Sequence, residues 1–430
     1  MKRTFSLIIL TSCFWLTSLH AQGGSSAVPF LRISPGARMS GMGEASVGFP
    51  NDDPLAPTVN PAQLGLQSQS SFFSYGNNSE PWLPQFHVVD LRYESVAFNA
   101  GINLKTFFPE KELPISIGIG YSKVKLNLGT FVRTTEQGPT PIGTFDAWEK
   151  SDQYMAAVGA DYWVRASLGI SYKHAVSHLG YIGMDSGSTY HDGIANLLDY
   201  GFLLQVPVVD ILSRIQGEQI QILPGLAPSF DWSIGISRNN SGQETISYTD
   251  PAQGDPLPRL ARVGMSVNGG VTYRGSAAEI KVVSFAWTVE TEDLLVKYAG
   301  SSMPRYRYQS GLGDIDIFDE VLLGHGNRNT EKKKGWEVGM YEFYYVRGGS
   351  FEEDPMNGNR NFATRGWSVS SVGATKIFRA LFGEQTGGTI LNFLLNNIDI
   401  RYNESIIDMT EASSPLYGMK FRSLSLFVRN

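Results

Sequence analysis

The residues whose types and spacing could carry chemistry fall in three places. Gly41-Met42-Gly43, followed by Ser46, has the look of a phosphate-binding glycine loop. That chemistry needs a strand before the glycines and a helix after them. Arg32–Met39 contains Pro35-Gly36 and makes a poor strand, so the glycines predict positive φ or close backbone approach instead. His174 and His178 are four apart in a segment that alternates with period two. On one side of a strand, at ~3.3 Å per residue, they stand roughly 13 Å apart, too far to chelate one metal. Asp314, Asp316, Asp319 and Glu320 form one acidic knot, and Glu352, Glu353 and Asp354 a second. Clustered carboxylates could hold Ca²⁺ or bridge lipopolysaccharide through divalent ions, but the spacing is not that of an EF-hand. Two acidic surface loops are the preferred reading. Arg328, Lys332, Lys333 and Lys334 lie between the knots and suit those acids or lipid phosphates. There is no GxSxG or HExxH, nor a convincing Ser-His-Asp order, so the expectation is a protein without catalysis, cofactor or metal.

The elements that must position these residues follow from composition. Charged residues are 18% of the 430, aromatics 12%, and glycine contributes 46 residues. Low charge with many aromatics and glycines suits a β-protein with one face in lipid. The net charge of −6 points to no nucleic-acid partner. Met1-Lys2-Arg3, an apolar run to Leu19 and Leu19-His20-Ala21 read as a signal peptide over residues 1–21, removed on export. Leu10-Thr11-Ser12-Cys13 resembles a lipoprotein box, but the apolar run continues past Cys13. Cys13 is the single cysteine, so an exported chain without disulfides needs a large core or a closed sheet. No later segment approaches the ~18–20 apolar residues of a spanning helix.

Alternation with period two recurs from residue 66 to the end. Ile115, Ile117, Ile119 and Tyr121 alternate with Ser116, Gly118 and Gly120. The phase then slips to Val124, Leu126 and Leu128, which predicts a β-bulge near Lys123. Tyr154–Tyr162 and Leu168–Tyr172 flank a tight hairpin at Val164-Arg165, and similar segments continue to Leu424-Leu426-Val428. A dozen or more strands result, weaker examples being 83–93, 294–299, 304–309 and 362–372. Because the alternate positions are Gly, Ser, Asn and Ala rather than Lys, Glu and Thr, they suit a barrel interior better than the wet face of a soluble β-sandwich. Tyr121, Tyr162-Trp163, Trp232, Trp287, Trp336 and Tyr402 would supply interfacial girdles. Val208–Ile215 and Ile377–Phe382 have helical spacing instead. Polar insertions at 131–152, 241–258, 310–335 and 349–361 are placed outside the cell.

Residues 22–65 do not alternate at all. Pro35-Gly36, Gly41, Gly43, Pro50-Asn51-Asp52-Asp53-Pro54 and Asn60-Pro61-Ala62 crowd turn formers together. The expectation is a plug inside the barrel, with Arg38, Gly41, Gly43, Asp52, Asp53, Asn60, Pro61 and Ala62 as its key residues. Asn60-Pro61-Ala62 marks its exit into the first strand.

The run Phe30–Arg38, then Gly41–Val47, Asp52-Asp53 and Asn60-Pro61-Ala62 resembles the N-terminus of PorV-type proteins, within the FadL-like outer-membrane family. Asp255-Pro256-Leu257-Pro258-Arg259 is similar to a turn of the same group. Gly36 departs from it, standing where an acidic residue is common, and the chain does not finish on an aromatic. The resemblance implies an all-β fold: a transmembrane antiparallel β-barrel of about 14 strands with an N-terminal luminal plug. It implies two alternative roles. PorV relatives bind the C-terminal domains of secreted proteins, or a partner barrel, in type IX secretion. FadL relatives pass fatty-acid-like hydrophobic molecules.

Overall fold

The structure, a computed structural model, describes residues 26–87, 90–108, 113–135, 138–182, 189–248, 250, 252, 254–275, 279–299, 306–355, 360–382, 397–409 and 414–429. The expected signal peptide, with Cys13, lies outside the described residues. Fourteen strands close an antiparallel barrel in which each pairs with its chain neighbours and the last with the first. They are β1 Phe72–Pro81, β2 Arg92–Asn103, β3 Ile115–Thr135, β4 Gly138–Asp161, β5 Arg165–Ile182, β6 Thr189–Pro207 and β7 Leu226–Gly242. β8 Leu260–Arg274, β9 Glu279–Leu294, β10 Glu331–Met340, β11 Tyr344–Glu352, β12 Phe362–Ser370, β13 Ile398–Asp408 and β14 Lys420–Arg429 complete the ring. Closure leaves no strand edge to be satisfied by lipid, which is the condition for a sheet to cross a bilayer. No described helix is long and apolar enough to cross a membrane.

Period two sets the two faces. Ile117, Ile119, Val158, Leu168, Ile170 and Phe230 point outward and stay exposed, while Ser74, Ser116, Ser122, Ser171 and Asn99 point inward and are buried. The upper margin of the outward band is aromatic: Tyr121, Tyr154 and Tyr172 lie opposite one another across β3, β4 and β5. One position higher, Lys123, Asp152, His174 and Asn196 form a polar row. Tyr121 Oη donates to Asp152 Oδ1 and Tyr172 Oη to Asn196 Oδ1, both 2.7 Å, so each ring bridges the apolar and polar levels.

The four long polar insertions all fall at one end, here called the outer end, opposite the last residue of β14. β3 and β4 continue past the rim there as a two-stranded ribbon. The short turn 162–164 and the helices Val208–Gln216 and Ser371–Phe382 lie at the inner end. The weak strand candidates at 294–299 and 304–309 pair with each other as Val296–Tyr298 and Tyr306–Tyr308, outside the barrel; of the candidate 83–93, Pro84–Phe86 form a 3₁₀ turn and Arg92 and Tyr93 begin β2.

The phase slip is not a bulge at Lys123. Pairing runs unbroken through Lys123 on both sides, and the register shifts only past Asn127. Val124 and Leu126 are instead inward residues that turn apolar because they pack on Val28 and Phe30 of the N-terminal segment. The alternation changed sign because the lumen changed polarity, with the backbone unchanged.

Candidate functional site

The lumen is filled by residues 26–70. The segment starts at the outer end, where Ala27 N donates to Pro256 O (2.7 Å), and leaves at the inner end into Phe72. Between these it folds as single turns, including helices Ala37–Ser40 and Gln63–Gln67. The exit is therefore later than Asn60-Pro61-Ala62. Asn60 Oδ1 accepts Ala62 N (3.1 Å) and so begins another turn inside the barrel. Its Nδ2 donates to Val47 O (2.9 Å) and to Phe202 O on β6 (3.1 Å), bracing plug to wall. Pro61 and Ala62 press directly on Gly169 and Gly201.

A lumen occupied by irregular backbone must satisfy that backbone with side chains, because no ladder is available. The small polar residues of the wall do this. Ser233 and Ser266 donate to Gly48 O (2.8 and 3.1 Å), Asn239 to Val59 O (3.0 Å), Asn99 to Pro54 O (2.8 Å) and Ser116 to Gly65 O (2.7 Å). Glu290 Oε2 accepts two successive plug amides, Ser46 N (2.7 Å) and Val47 N (2.8 Å). Gly43 has φ +65°, and a Cβ there would lie 2.5 Å from the carbonyl oxygens of Lys334 and Ser350. Gly41 has ordinary φ and instead makes room for the Arg347 side chain.

Two charged belts hold the plug. In the inner belt, Asp52 receives Arg401 (2.7 and 3.1 Å), Arg38 (2.8 Å) and Arg429 (2.5 Å). Arg38 reaches on to Glu337 (3.1 and 2.7 Å), which also accepts Arg347 (3.0 Å). Burial alone would raise the Asp52 carboxyl, but Arg401, Arg429 and Arg38 together hold it well below the usual carboxylate range. Its neighbour Asp53 has no such partner; burial pushes that carboxyl up, while its Oδ1 caps Leu55 N (2.9 Å). In the outer belt, Glu292 accepts Arg262 and Lys333 (2.6 Å each), and Arg32 of the plug pairs with Glu331. Lys333, expected to serve the outer acids, is thus luminal.

Above the outer belt the lumen is apolar. Val28 and Phe30 of the plug are buried among Tyr93, Leu126, Phe351, Phe362 and Phe421 from the wall. A cavity of about 40 Å³ remains between this cluster and the outer belt. At the inner end a polar vestibule of about 570 Å³ is bounded by Asn51, Asp52, Gln67 and Arg429.

The acidic knots are not brought to the plug. Asp316 caps Phe318 N and Asp319 N (3.0 Å each), and Glu320 accepts Asp316 N (2.9 Å) and the Thr330 hydroxyl. Asp314 faces Lys297 (3.5 Å) and Asp319 faces His325 (2.7 Å). Glu352 lies 3.8 Å from Lys334, and Glu353 pairs with Arg360 (2.9 Å), with Asp354 following at the rim. His174 and His178 sit on the outer face beside Asn196 and Asp192.

No known family profile matches the chain, and no curated protein does. Among solved structures, the toluene transporter TbuX of Ralstonia pickettii aligns over 92% of this chain and 98% of its own, at 11% identity and a TM-score of 0.38. TodX of Pseudomonas putida, also a toluene transporter, covers 92% and 96% at 10% identity and a TM-score of 0.36. CdiB from Acinetobacter baumannii covers 84% and 60% at 8% identity and a TM-score of 0.36. Likenesses at this level leave the functional reading to the chain's own residues.

Proposed function

We propose that the protein is a non-enzymatic outer-membrane channel in which the plug gates passage of apolar, fatty-acid-like molecules. One observation carries this reading: the apolar cluster at the outer mouth of an otherwise polar lumen. Inward-facing Tyr93, Leu126, Phe351 and Phe421 would be costly to leave in a wet pore, and Phe30 of the plug covers them. An apolar ligand that took the place of Phe30 would bury the same surface and free the segment leading into the outer belt. Titrating the purified protein with a fluorescent long-chain fatty acid tests it. Saturable binding, strengthened by Phe30→Ala, is expected; linear, non-saturable uptake in both proteins would sink the reading.

A second reading is that the sealed barrel is a docking platform for C-terminal domains of secreted proteins or for a partner barrel. The 27–65 motif, similar to PorV-type proteins, favours it. So does the outer lumen, where about 40 Å³ is far below the ~300 Å³ of a small-molecule site. Surface anchoring of type IX cargo in a deletion strain decides it: unaltered anchoring excludes this role.

A further inference from the structure

On β8, β9 and β10 the outer face departs from the pattern seen elsewhere. Outward positions above Trp287 and Trp336 are Val289, Thr291 and Asp293 on β9, Val263 and Ala261 on β8, and Lys332 on β10. On a bare wall these would be exposed. All are buried, with Val263, Thr291 and Asp293 at 0%. The covering element is built from 295–299 and 306–330, which lie over the outside of the barrel and carry a wide helical turn, Ile317–Leu322, packed on β8 and β9.

The flap is pinned by polar contacts on its wall side. Asp293 accepts Asp314 N (2.6 Å) and Lys297 Nζ (2.9 Å), Arg238 on β7 donates to Gly311 O (3.2 Å), and Glu320 is buried. Its outward side is the reverse. Phe318, Leu322 and Leu323 project from the helical turn at 64%, 48% and 54% exposure. A water-facing loop shows its acids to solvent and its apolar residues to the protein. Here Glu320 is turned in, and large apolar side chains are turned out. Beside the half-exposed Asp319, such a face suits the boundary of an apolar medium.

Continuity with the wall says which apolar medium. Directly below the flap, Val283, Phe285, Trp287 and Trp336 form an exposed column that belongs to the lipid-facing band. Asp316, Asp319 and His325 rim the flap on its polar margin. We propose that the turn Ile317–Leu322 is a lipid anchor, with Phe318, Leu322 and Leu323 inserted among acyl chains at the outer interface. It would extend the apolar band upward over one sector of the wall, β8 to β10. On β3 to β5 the band ends at the tyrosine row. This asymmetry would set the tilt of the barrel. The inference is independent of whether the lumen passes a ligand or docks a protein.

Quenching of site-specific labels tests it. Cys13 is the single cysteine, so a Cys13→Ser background accepts one new thiol at a time. Phe318→Cys, Leu322→Cys and, on the same loop but outside the apolar face, Asn329→Cys are labelled with an environment-sensitive dye. The proteins are placed in phosphatidylcholine–phosphatidylglycerol vesicles, and folding is checked by the mobility of unheated samples on a gel. Doxyl-labelled lipid is expected to quench the dyes at 318 and 322 severalfold more than iodide does, with the order reversed at 329. Iodide access at 318 and 322 equal to that at 329 would overturn the proposal. So would shielding from both quenchers, which would indicate a protein neighbour.

Discussion

Arg401 grips Asp52 with two hydrogen bonds, 2.7 and 3.1 Å long, across 349 residues of chain. One residue belongs to β13 and the other to the plug, so this pair ties the wall to what fills it. Arg38 and Arg429 converge on the same carboxylate, and Asp52 is the point where plug, wall and C-terminal strand meet.

Asp52→Asn should loosen that point without unfolding the barrel. Breaking a fully buried ion pair costs about 3–5 kcal/mol. Asp52 is one-third exposed to the inner vestibule, so a loss of about 1–3 kcal/mol in plug docking is the better expectation. Planar-bilayer recordings should show frequent openings in the variant where the parent is quiet. Indistinguishable traces would mean that the inner belt does not hold the plug.

The pH dependence of the same contact has a definite sign. Burial opposes ionisation of Asp52, but the three guanidiniums prevail and its folded-state pKa lies well below 3.8. The stabilisation is therefore complete above the unfolded-state pKa and is lost only as pH falls through the depressed value. Plug opening should be flat from neutral pH down to about the ordinary aspartate range and should rise only in stronger acid. Asp52→Asn should remove that acid rise. A parent protein that opened near pH 6 would assign the switch to another group.

Much of this was legible in the sequence, and the reason is geometric. Ile115–Tyr121 and Tyr154–Tyr162 alternate because each strand has lipid on one side and lumen on the other, which strictly enforces a period of two. Residues 27–65 differ because they have no ladder. The wall half of the site was missed, although a signal was present. Glu337 lies between Trp336 and Val338, and Arg401 between Ile400 and Tyr402, so both are charges at inward positions where other strands place Gly or Ser. Their partners, Arg38 and Asp52, are 299 and 349 residues away, a separation that local pattern cannot bridge. The change at Val124 was misread for the same reason. Its cause, Phe30, comes from a distant segment, whereas a bulge is local.

Gly43 and Gly41 should respond differently to alanine. At Gly43 the left-handed conformation costs about 1–2 kcal/mol for a residue with a Cβ, and the new atom would meet two carbonyl oxygens that cannot move aside. At Gly41 it would meet side-chain atoms and no backbone, the Arg347 stem at 2.8 and 3.0 Å and Ser405 Cβ at 3.2 Å, with φ already helical. Gly43→Ala should unseat the plug and raise its protease sensitivity several-fold, while Gly41→Ala should change it little. Equal effects would mean that the seat at Lys334 and Ser350 is not tight.

Truncation separates plug from wall most directly. β1 begins at Phe72, so no barrel strand is cut by removing residues up to 70. Deleting 27–62 leaves Gln63–Gln67 in place, with Ser116 Oγ still donating to Gly65 O (2.7 Å) and Leu64 packed on Met155 and Ala157. That remnant should keep part of the inner lumen closed. Deleting 27–70 removes it. Conductance in planar bilayers should therefore rise in two steps, from the full chain to the first deletion and again to the second, while heat-modifiable gel mobility reports an intact barrel in all three. If the first deletion already gave the full increase, the turn Gln63–Gln67 would be part of the strand connection rather than of the plug. If neither deletion raised conductance, residues 26–70 would not be what seals the barrel.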